Sequence, residues 1–443
     1  MPTDTRPTDI PPTSSGGDAA AQPLPGEASS ERPSVRPSDP PSRDRPAVRL
    51  AVIGAGPVGL TLALFAARLW PEADVTLFDA RAAGQDVSGD PRTLALSLGS
   101  VQLLQRLAVW PAEQAQAITQ VHVSQAPPTL TGVPIQPELT INAFDEGVPQ
   151  LGAVLRYGQI VAPLQRAWEA ECAAAPARCH FRLGTPVSAL KPLPDHRLEV
   201  DAGIAEVFDL AVIAEGGVFA EQSRKGLSRD YHQTAWVGQV QLDGDVAPGV
   251  AFERFTRHGP VALLPLKAEA GDAPGRRRAA LVWCVPSDDD PVAPLTDAQR
   301  QAVLATLLPP AAGALRSIGP LKAFALGLNA ERTLVDGRQV RIGNAAQTLH
   351  PVAGQGLNLG LRDAFTLVQS LRDAADLDRA LRRVEWSRAP DRWGMIAATD
   401  FLARSFTWKL PGLAAARGLG IAALQALPPV KSALARQMMF GRR

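Results

Sequence analysis

Residues 340–365 read Val340-Arg341-Ile342-Gly343-Asn344-Ala345-Ala346-Gln347-Thr348-Leu349-His350-Pro351-Val352-Ala353-Gly354-Gln355-Gly356-Leu357-Asn358-Leu359-Gly360-Leu361-Arg362-Asp363-Ala364-Phe365. An apolar strand-like run ends in small residues, and Pro351 blocks an early helix. Gly354 and Gly356 then bring the backbone close to something before a helical pattern begins. A helix N-terminus is thereby presented bare. Its free N–H groups and positive dipole end suit a ligand carrying negative charge, either phosphate or the anionic N1–C2=O edge of a reduced flavin.

A second stretch gives that helix a context. Arg49 to Val52 reads as a buried strand, followed by Gly54-Ala55-Gly56-Pro57-Val58-Gly59, a helical pattern through Trp70, a second strand Val75–Phe78, and Asp79. This is a dinucleotide fingerprint with its required neighbours. Gly54, Gly56 and Gly59 serve the turn, the approach to pyrophosphate and the helix–strand packing, while Asp79, about 20 residues on, is placed for ribose hydroxyls.

An N-terminal fingerprint paired with a C-terminal Gly343-Asn344-Ala345-Ala346…Pro351…Gly354-Gln355-Gly356…Asn358 segment resembles the FAD-dependent aromatic hydroxylases, the single-component flavoprotein monooxygenases. Phe252-Glu253-Arg254-Phe255-Thr256-Arg257-His258-Gly259-Pro260 and Leu281-Val282-Trp283-Cys284 extend the likeness to the ubiquinone-biosynthesis branch, above all to its 2-polyprenyl-6-methoxyphenol hydroxylases. The likeness runs from about residue 48 to 405. It implies an α/β fold: a Rossmann-like FAD-binding domain, discontinuous in sequence, with an inserted antiparallel β-sheet substrate domain and C-terminal helices. The implied chemistry is hydroxylation of a polyprenylated phenol with O2 through a flavin C4a-hydroperoxide. NADH or NADPH would be a transient electron donor, since one fingerprint accounts for one dinucleotide and no second copy follows.

The same resemblance carries cofactor-binding roles to Arg92, Gln159, Glu215, Asn344, Pro351, Gly354, Gly356, Leu357 and Asn358. Two of these depart from the family pattern. Glu215 stands where Asp is usual, keeping the carboxylate but changing its reach, and Asn344 replaces another Asp with an amide that both accepts and donates. A base that deprotonates the phenol would strengthen it as a nucleophile, and His350, with His258 second, is the candidate by histidine's near-neutral titration. His258 and Arg254 alternatively form an exposed strand pair.

Composition narrows the partners. With 45 basic and 44 acidic residues the formal charge is +1, so nucleic acid is not implied. Cys172, Cys179 and Cys284 have no metal or CxxC spacing, and the six histidines form no ligand pair, so no metal is expected. The odd cysteine count without a secretory signal points to a reducing, cytoplasmic setting.

Residues 1–46 are expected to be a disordered Pro/Ser-rich tail. Residues 47–117, 151–228 and 331–390 are assigned to the FAD-binding domain, 118–150 and 229–330 to the substrate sheet, and 391–443 to a C-terminal helical segment. A helix is expected over Arg379–Phe406, interrupted near Ala389-Pro390. The last segment is too interrupted to span a bilayer and either lies at a membrane interface, on the inner face of the cell membrane, or packs on the protein's own core. Competing functional readings are a sibling hydroxylase acting at another ring position and, in another class, a non-catalytic scaffold among ubiquinone-biosynthesis proteins.

Overall fold

The two apolar runs that bracket the fingerprint, Val48–Ile53 and Ala73–Asp79, become adjacent parallel strands, joined by the helix Pro57–Leu69. The computed structural model describes residues 47–126, 137–216, 223, 225–244, 246–269, 271, 275–351, 354–407 and 413–442. The expected tail 1–46 lies outside the described residues, as do Gly217, Val352 and Ala353.

Strands Leu210–Ile213 and Gln339–Arg341 extend the parallel sheet on one side of Val48–Ile53, and Cys179–Leu183 extends it beyond Ala73–Asp79. Chain segments more than a hundred residues apart therefore share one sheet, which is the expected discontinuity. Its strands are near-continuous apolar runs because both faces are covered: helices pack on one, and the three-stranded sheet of Ala189–Pro192, Leu198–Asp201 and Ala205–Phe208 packs on Ala51, Ile53, Phe78 and Ala211 of the other. Leu50, Val52, Val75, Leu77, Leu210 and Val212 are all sealed from solvent.

The second large sheet has nine strands. Leu227–Asp243 pairs with Arg276–Pro286 and Lys322–Ala330, and the order continues through Pro260–Leu266, Val250–Phe255, Gln120–Gln125 and Glu138–Asn142. Pairing is antiparallel except between Val250–Phe255 and Gln120–Gln125, which run parallel, so the sheet is mixed rather than purely antiparallel. Gln116–Ile118 belongs instead to a small sheet with Gly152–Arg156 and Thr93–Ser97.

One face of the nine-stranded sheet carries Phe252, Val261, Leu263, Leu281 and Trp283 and is covered by the helix Asp297–Leu307 through Leu304. Thr296 caps that helix, in a capping box with Gln299. Alternation sends Glu253, Ala262 and Val282 to the opposite face.

The helix Gln355–Asp373 packs on the fingerprint helix, and the 31-residue helix Leu377–Thr407 packs on it in turn. The latter runs unbroken through Pro390, contrary to the expected interruption. Pro390 removes one intrahelical donor, yet the flanking Arg388, Asp391 and Arg392 are buried and hydrogen-bonded, which holds both sides of the turn in place. The helices Leu413–Ala426 and Pro428–Phe440 lay Ile421, Ala435 and Met439 against Leu98, Leu139 and Ile141, so this segment packs on the core. Its outer side keeps Leu419, Leu427, Val430 and Leu434 exposed. No helix among the described residues is long and apolar enough to cross a membrane.

Candidate functional site

Parallel register brings Ile53, Phe78, Ile213 and Arg341 level, so the four chains leave the sheet at one edge. That carboxyl edge is where ligands bind in open α/β sheets. Gly54 turns with φ +102°, and a Cβ there would meet the Glu215 backbone nitrogen at 2.9 Å. Asp79 secures the same turn: Oδ2 accepts from Ala55 N at 2.5 Å and Oδ1 from Arg81 N at 2.8 Å.

Glu215 emerges one residue from this cluster, and Gly216 lies so close to Asn344 that a Cβ on it would be 2.7 Å from the asparagine Cβ. The structure thus brings together Gly54, Asp79, Glu215 and Asn344 from four separate segments. Partial burial, and then the charge of Asp79, push the Glu215 carboxyl above its ordinary range.

Two helix ends open onto this edge. The fingerprint helix begins at Gly56 and the second at Gly354; neither has a side-chain cap or an acid in its first turn. They lie against each other near these ends, since a Cβ on Gly360 would sit 2.8 Å from both Gly343 Cα and Val58 Cγ2. The positive dipole ends of the two helices favour an anionic ligand at this edge. A Cβ on Gly356 would meet nothing within 4 Å.

A diphosphate and a flavin ring fit such a pair of bare ends, so the residues present suit FAD. Gly356→Ala is therefore expected to leave apoprotein stability within about 1 kcal/mol, helix propensity even gaining slightly, while FAD affinity falls at least about tenfold. Titration of apoprotein with FAD, read by flavin fluorescence, checks this; unchanged affinity would remove the helix end from the site.

The remaining predicted residues fall into two groups. Arg92 grips Asp90 through Nε and Nη2 and stacks over the Tyr157 ring at 4.1 Å, with its side chain 62 % exposed. The Tyr157 hydroxyl lies over the fingerprint, 3.5 Å from where a Cβ on Gly56 would be. Gln159 accepts from Arg156 N at 2.9 Å in a capping box at the start of Tyr157–Ala174. Asn358 is buried: its Oδ1 accepts from Ser97 N, and its Nδ2 donates to the Ala95 and Gly354 carbonyls. It clamps the loop, which leaves backbone N–H groups to face a ligand. Leu357 packs against the main core and Pro351 faces the nine-stranded sheet.

Neither histidine suits the base role expected of it. His350 is 2 % exposed, and burial drives its pKa down to about 4, far below the near-neutral value that role needs. Gln233 gives its amide hydrogens to the Ala403 carbonyl, so its Oε1 accepts from His350 Nε2 at 2.9 Å, and the ring serves to position the loop. His258 Nε2 accepts from Arg257 Nε at 2.9 Å, and burial, then the Arg257 charge, lower its pKa. Arg254 is no exposed partner: it is buried on the helix-covered face, donating to the Leu307 carbonyl and Ser124 Oγ. The cysteines are free thiols, Cys179 and Cys284 buried.

Sequence reading passed over Tyr157, although it is one of only two tyrosines in the chain and so unlikely filler at a glycine-flanked helix start. It also passed over Glu253, whose signal was an acid on the inward phase of an apolar alternation.

A family model described as an FAD binding domain matches residues 222–381. Ubiquinone hydroxylase UbiL of Rhodospirillum rubrum is 30% identical over 435 residues, covering 90% of this chain and 93% of that one. The 3-demethoxyubiquinol 3-hydroxylase of Escherichia coli is 29% identical over 396 residues, covering 85% and 94%. Among solved structures, Klebsiella pneumoniae HpxO complexed with FAD and uric acid superposes with a TM-score of 0.64 at 17% identity, covering 89% of this chain and 97% of that one, which shows a shared fold.

Proposed function

This chain belongs to the FAD-dependent hydroxylases of ubiquinone biosynthesis, and from that premise we propose that it adds one hydroxyl group to a polyprenylated phenol of the 2-polyprenyl-6-methoxyphenol type. The observation that carries this reading is the cleft in which Pro351, beside the bare helix end, faces an apolar stretch of the nine-stranded sheet. Apart from Glu253 the lining is apolar or a thiol, which suits an aromatic substrate better than a highly charged one.

Residues 47–117, 151–228 and 331–390 are assigned to holding the cofactor, and 118–150 and 229–330 to covering the substrate. Gly54, Gly56, Gly59 and the first helix end would hold the FAD diphosphate, Asp79 and Glu215 its hydroxyl-bearing parts, and Arg92 with Tyr157 the mouth of the site. Gly354, Gly356, Leu357 and Asn358 would present the second helix end to the flavin ring. Bound FAD supplies the activation of dioxygen. The protein orients the ring, keeps water out with Pro260, Ala262, Val282 and Pro351, and offers fixed dipoles where negative charge gathers. NADH or NADPH would deliver electrons in passing.

The test is the visible spectrum of the purified protein, then anaerobic addition of NADH or NADPH with and without a short-chain prenylated methoxyphenol. Flavin bands that bleach faster with the phenol, and a product heavier by one oxygen after aeration, are expected. Bleaching indifferent to every prenylated phenol overturns the substrate assignment. The printed name of the Escherichia coli relative favours a second reading, hydroxylation at a different ring carbon; NMR of the product separates the two.

The exposed Leu419, Leu427, Val430 and Leu434, beside Arg436 and Arg442, would let the C-terminal helices rest on the membrane that dissolves such a substrate. Sedimentation with anionic vesicles is expected to pull down the wild type and not a Leu427→Ser/Val430→Ser variant. Equal recovery of both would refute that contact.

A further inference from the structure

The cleft facing Pro351 contains one carboxylate that none of the assignments above uses. Glu253 sits in Val250–Phe255 between the buried Ala251 and Phe255 of its own face. Its cross-strand neighbour is Ala262, which is in turn opposite Val282. With Pro260, Cys284 and Pro351 these side chains line the cleft, and every one but Glu253 is apolar or a thiol. Glu253 Oε1 is sealed from bulk solvent and has no hydrogen-bond partner among the described residues. An unsatisfied buried acceptor is costly, and a folded protein that keeps one is holding it for something.

No cation among the described residues offsets it. Arg254 turns to the opposite face. Val123, its neighbour on the parallel strand, is apolar. His258, at the following turn, is engaged by Arg257, and the loop's His350 by Gln233. Cys284 is the titratable neighbour, its thiol pushed far up by burial and then by the Glu253 charge. With nothing to stabilise the ionised form, burial pushes the Glu253 carboxyl up to about 7.

The geometry points to Glu253 as the group that receives the phenol hydroxyl in this cleft and takes its proton. The assignment rests on the phenol reading above and supplies the base that neither histidine provides. In the transfer the phenol O–H bond breaks, its electron pair stays on the ring oxygen, and the proton ends on a Glu253 carboxylate oxygen; nothing is oxidised or reduced. A carboxyl close to neutral loses less in accepting a phenolic proton than an ordinary one would. The ring oxyanion then feeds electron density to the carbons ortho and para to it.

The test uses holoenzyme, wild type and Glu253→Gln, with 2-methoxy-6-prenylphenol. FAD content, the ultraviolet phenolate band on binding, and kcat and KM against pH are recorded. Glutamine has nearly the same shape, so FAD content is expected to stay. The phenolate band disappears, kcat falls about a hundredfold or more with KM within a few-fold, and the pH limb near neutrality is lost. Glu253→Asp restores part of the band. A Glu253→Gln enzyme with the wild-type band and pH limb overturns the assignment and leaves the hydroxylase reading intact. A wild type whose flavin bleaches equally fast with and without the phenol, and which forms no hydroxylated product from it, removes the reading on which the assignment rests.

Discussion

Alanine at position 59 is expected to yield protein without bound FAD and less stable than wild type by about 3 kcal/mol or more, at the upper end of overpacking costs. A Cβ on Gly59 would stand 1.9 Å from the Gly54 carbonyl oxygen, 3.2 Å from its carbonyl carbon and 3.3 Å from Ala214 Cβ. The first of these is backbone, so no rotamer change relieves it. The fingerprint helix must move away from the strand by about 1 Å, and that motion pulls the turn off Asp79, whose Oδ2 is bonded to Ala55 N. The start of the fingerprint helix and Asp79 are then displaced together. Flavin absorbance of the purified variant and thermal melts with and without added FAD measure this. A yellow Gly59→Ala protein with wild-type melting would mean that the helix does not seat on the strand as described. The contrast with Gly356 is diagnostic, because there the added methyl meets open space and should cost affinity without costing fold.

These two glycines also show what the sequence makes legible. Both occur at the start of a helical pattern, and a helix opened by glycine with no Ser, Thr, Asp or Asn cap announces that its N–H groups are kept for something else. Local patterning of this kind predicts the fingerprint, the helix start at Gly354 and the assignment of residues 229–330 to a sheet. Properties set by distant partners were hidden. His350 and Asn358 look like site residues by position, yet Gln233 and Ser97, more than a hundred residues away, decide that their side chains hold the loop. Pro390 reads as a break because local rules make it one, and only the burial of its neighbours overrules them. Parallel pairing of Val250–Phe255 with Gln120–Gln125 leaves no trace in either strand's alternation. Glu253 was legible in phase, but its importance depends on the apolar and thiol side chains that neighbouring strands and the distant Pro351 bring around it.

The overruled helix break leads to the second large effect, at Asp391. Asp363 and Asp391 are fully buried, and Arg362 and Arg388 are 8% and 5% exposed. Asp391 Oδ2 accepts from Arg362 Nε at 2.9 Å and Arg388 Nη2 at 2.8 Å, while Oδ1 accepts from Arg442 N at 3.1 Å. Arg388 also donates to Asp363 on the helix Gln355–Asp373 at 2.7 Å. One carboxylate thus ties the helix Gln355–Asp373, the long helix Leu377–Thr407 and the segment after Pro428–Phe440 together. Asp391→Ala is expected to cost about 3–5 kcal/mol, since it strands the buried Arg362 guanidinium and removes one of the two carboxylates that hold Arg388, a large share of the 5–15 kcal/mol or so that keeps a domain folded. Arg362 suffers most, because its Nη1 and Nη2 have no partner among the described residues. Burial raises the Asp391 pKa, but Arg362 and Arg388 outweigh it and hold the carboxyl below its ordinary 3.8. Its contribution is therefore present above that value and lost as pH falls through the depressed one, so the deficit of the alanine variant should shrink only in strong acid. Removing the stranded charge as well should help: Arg362→Met/Asp391→Leu is expected to be more stable than Asp391→Ala alone, with Arg388 still paired to Asp363. Urea melts of the three proteins decide it. A single-variant loss below about 1 kcal/mol, or a double variant no better than Asp391→Ala, would show that the network does not bear on stability in this way.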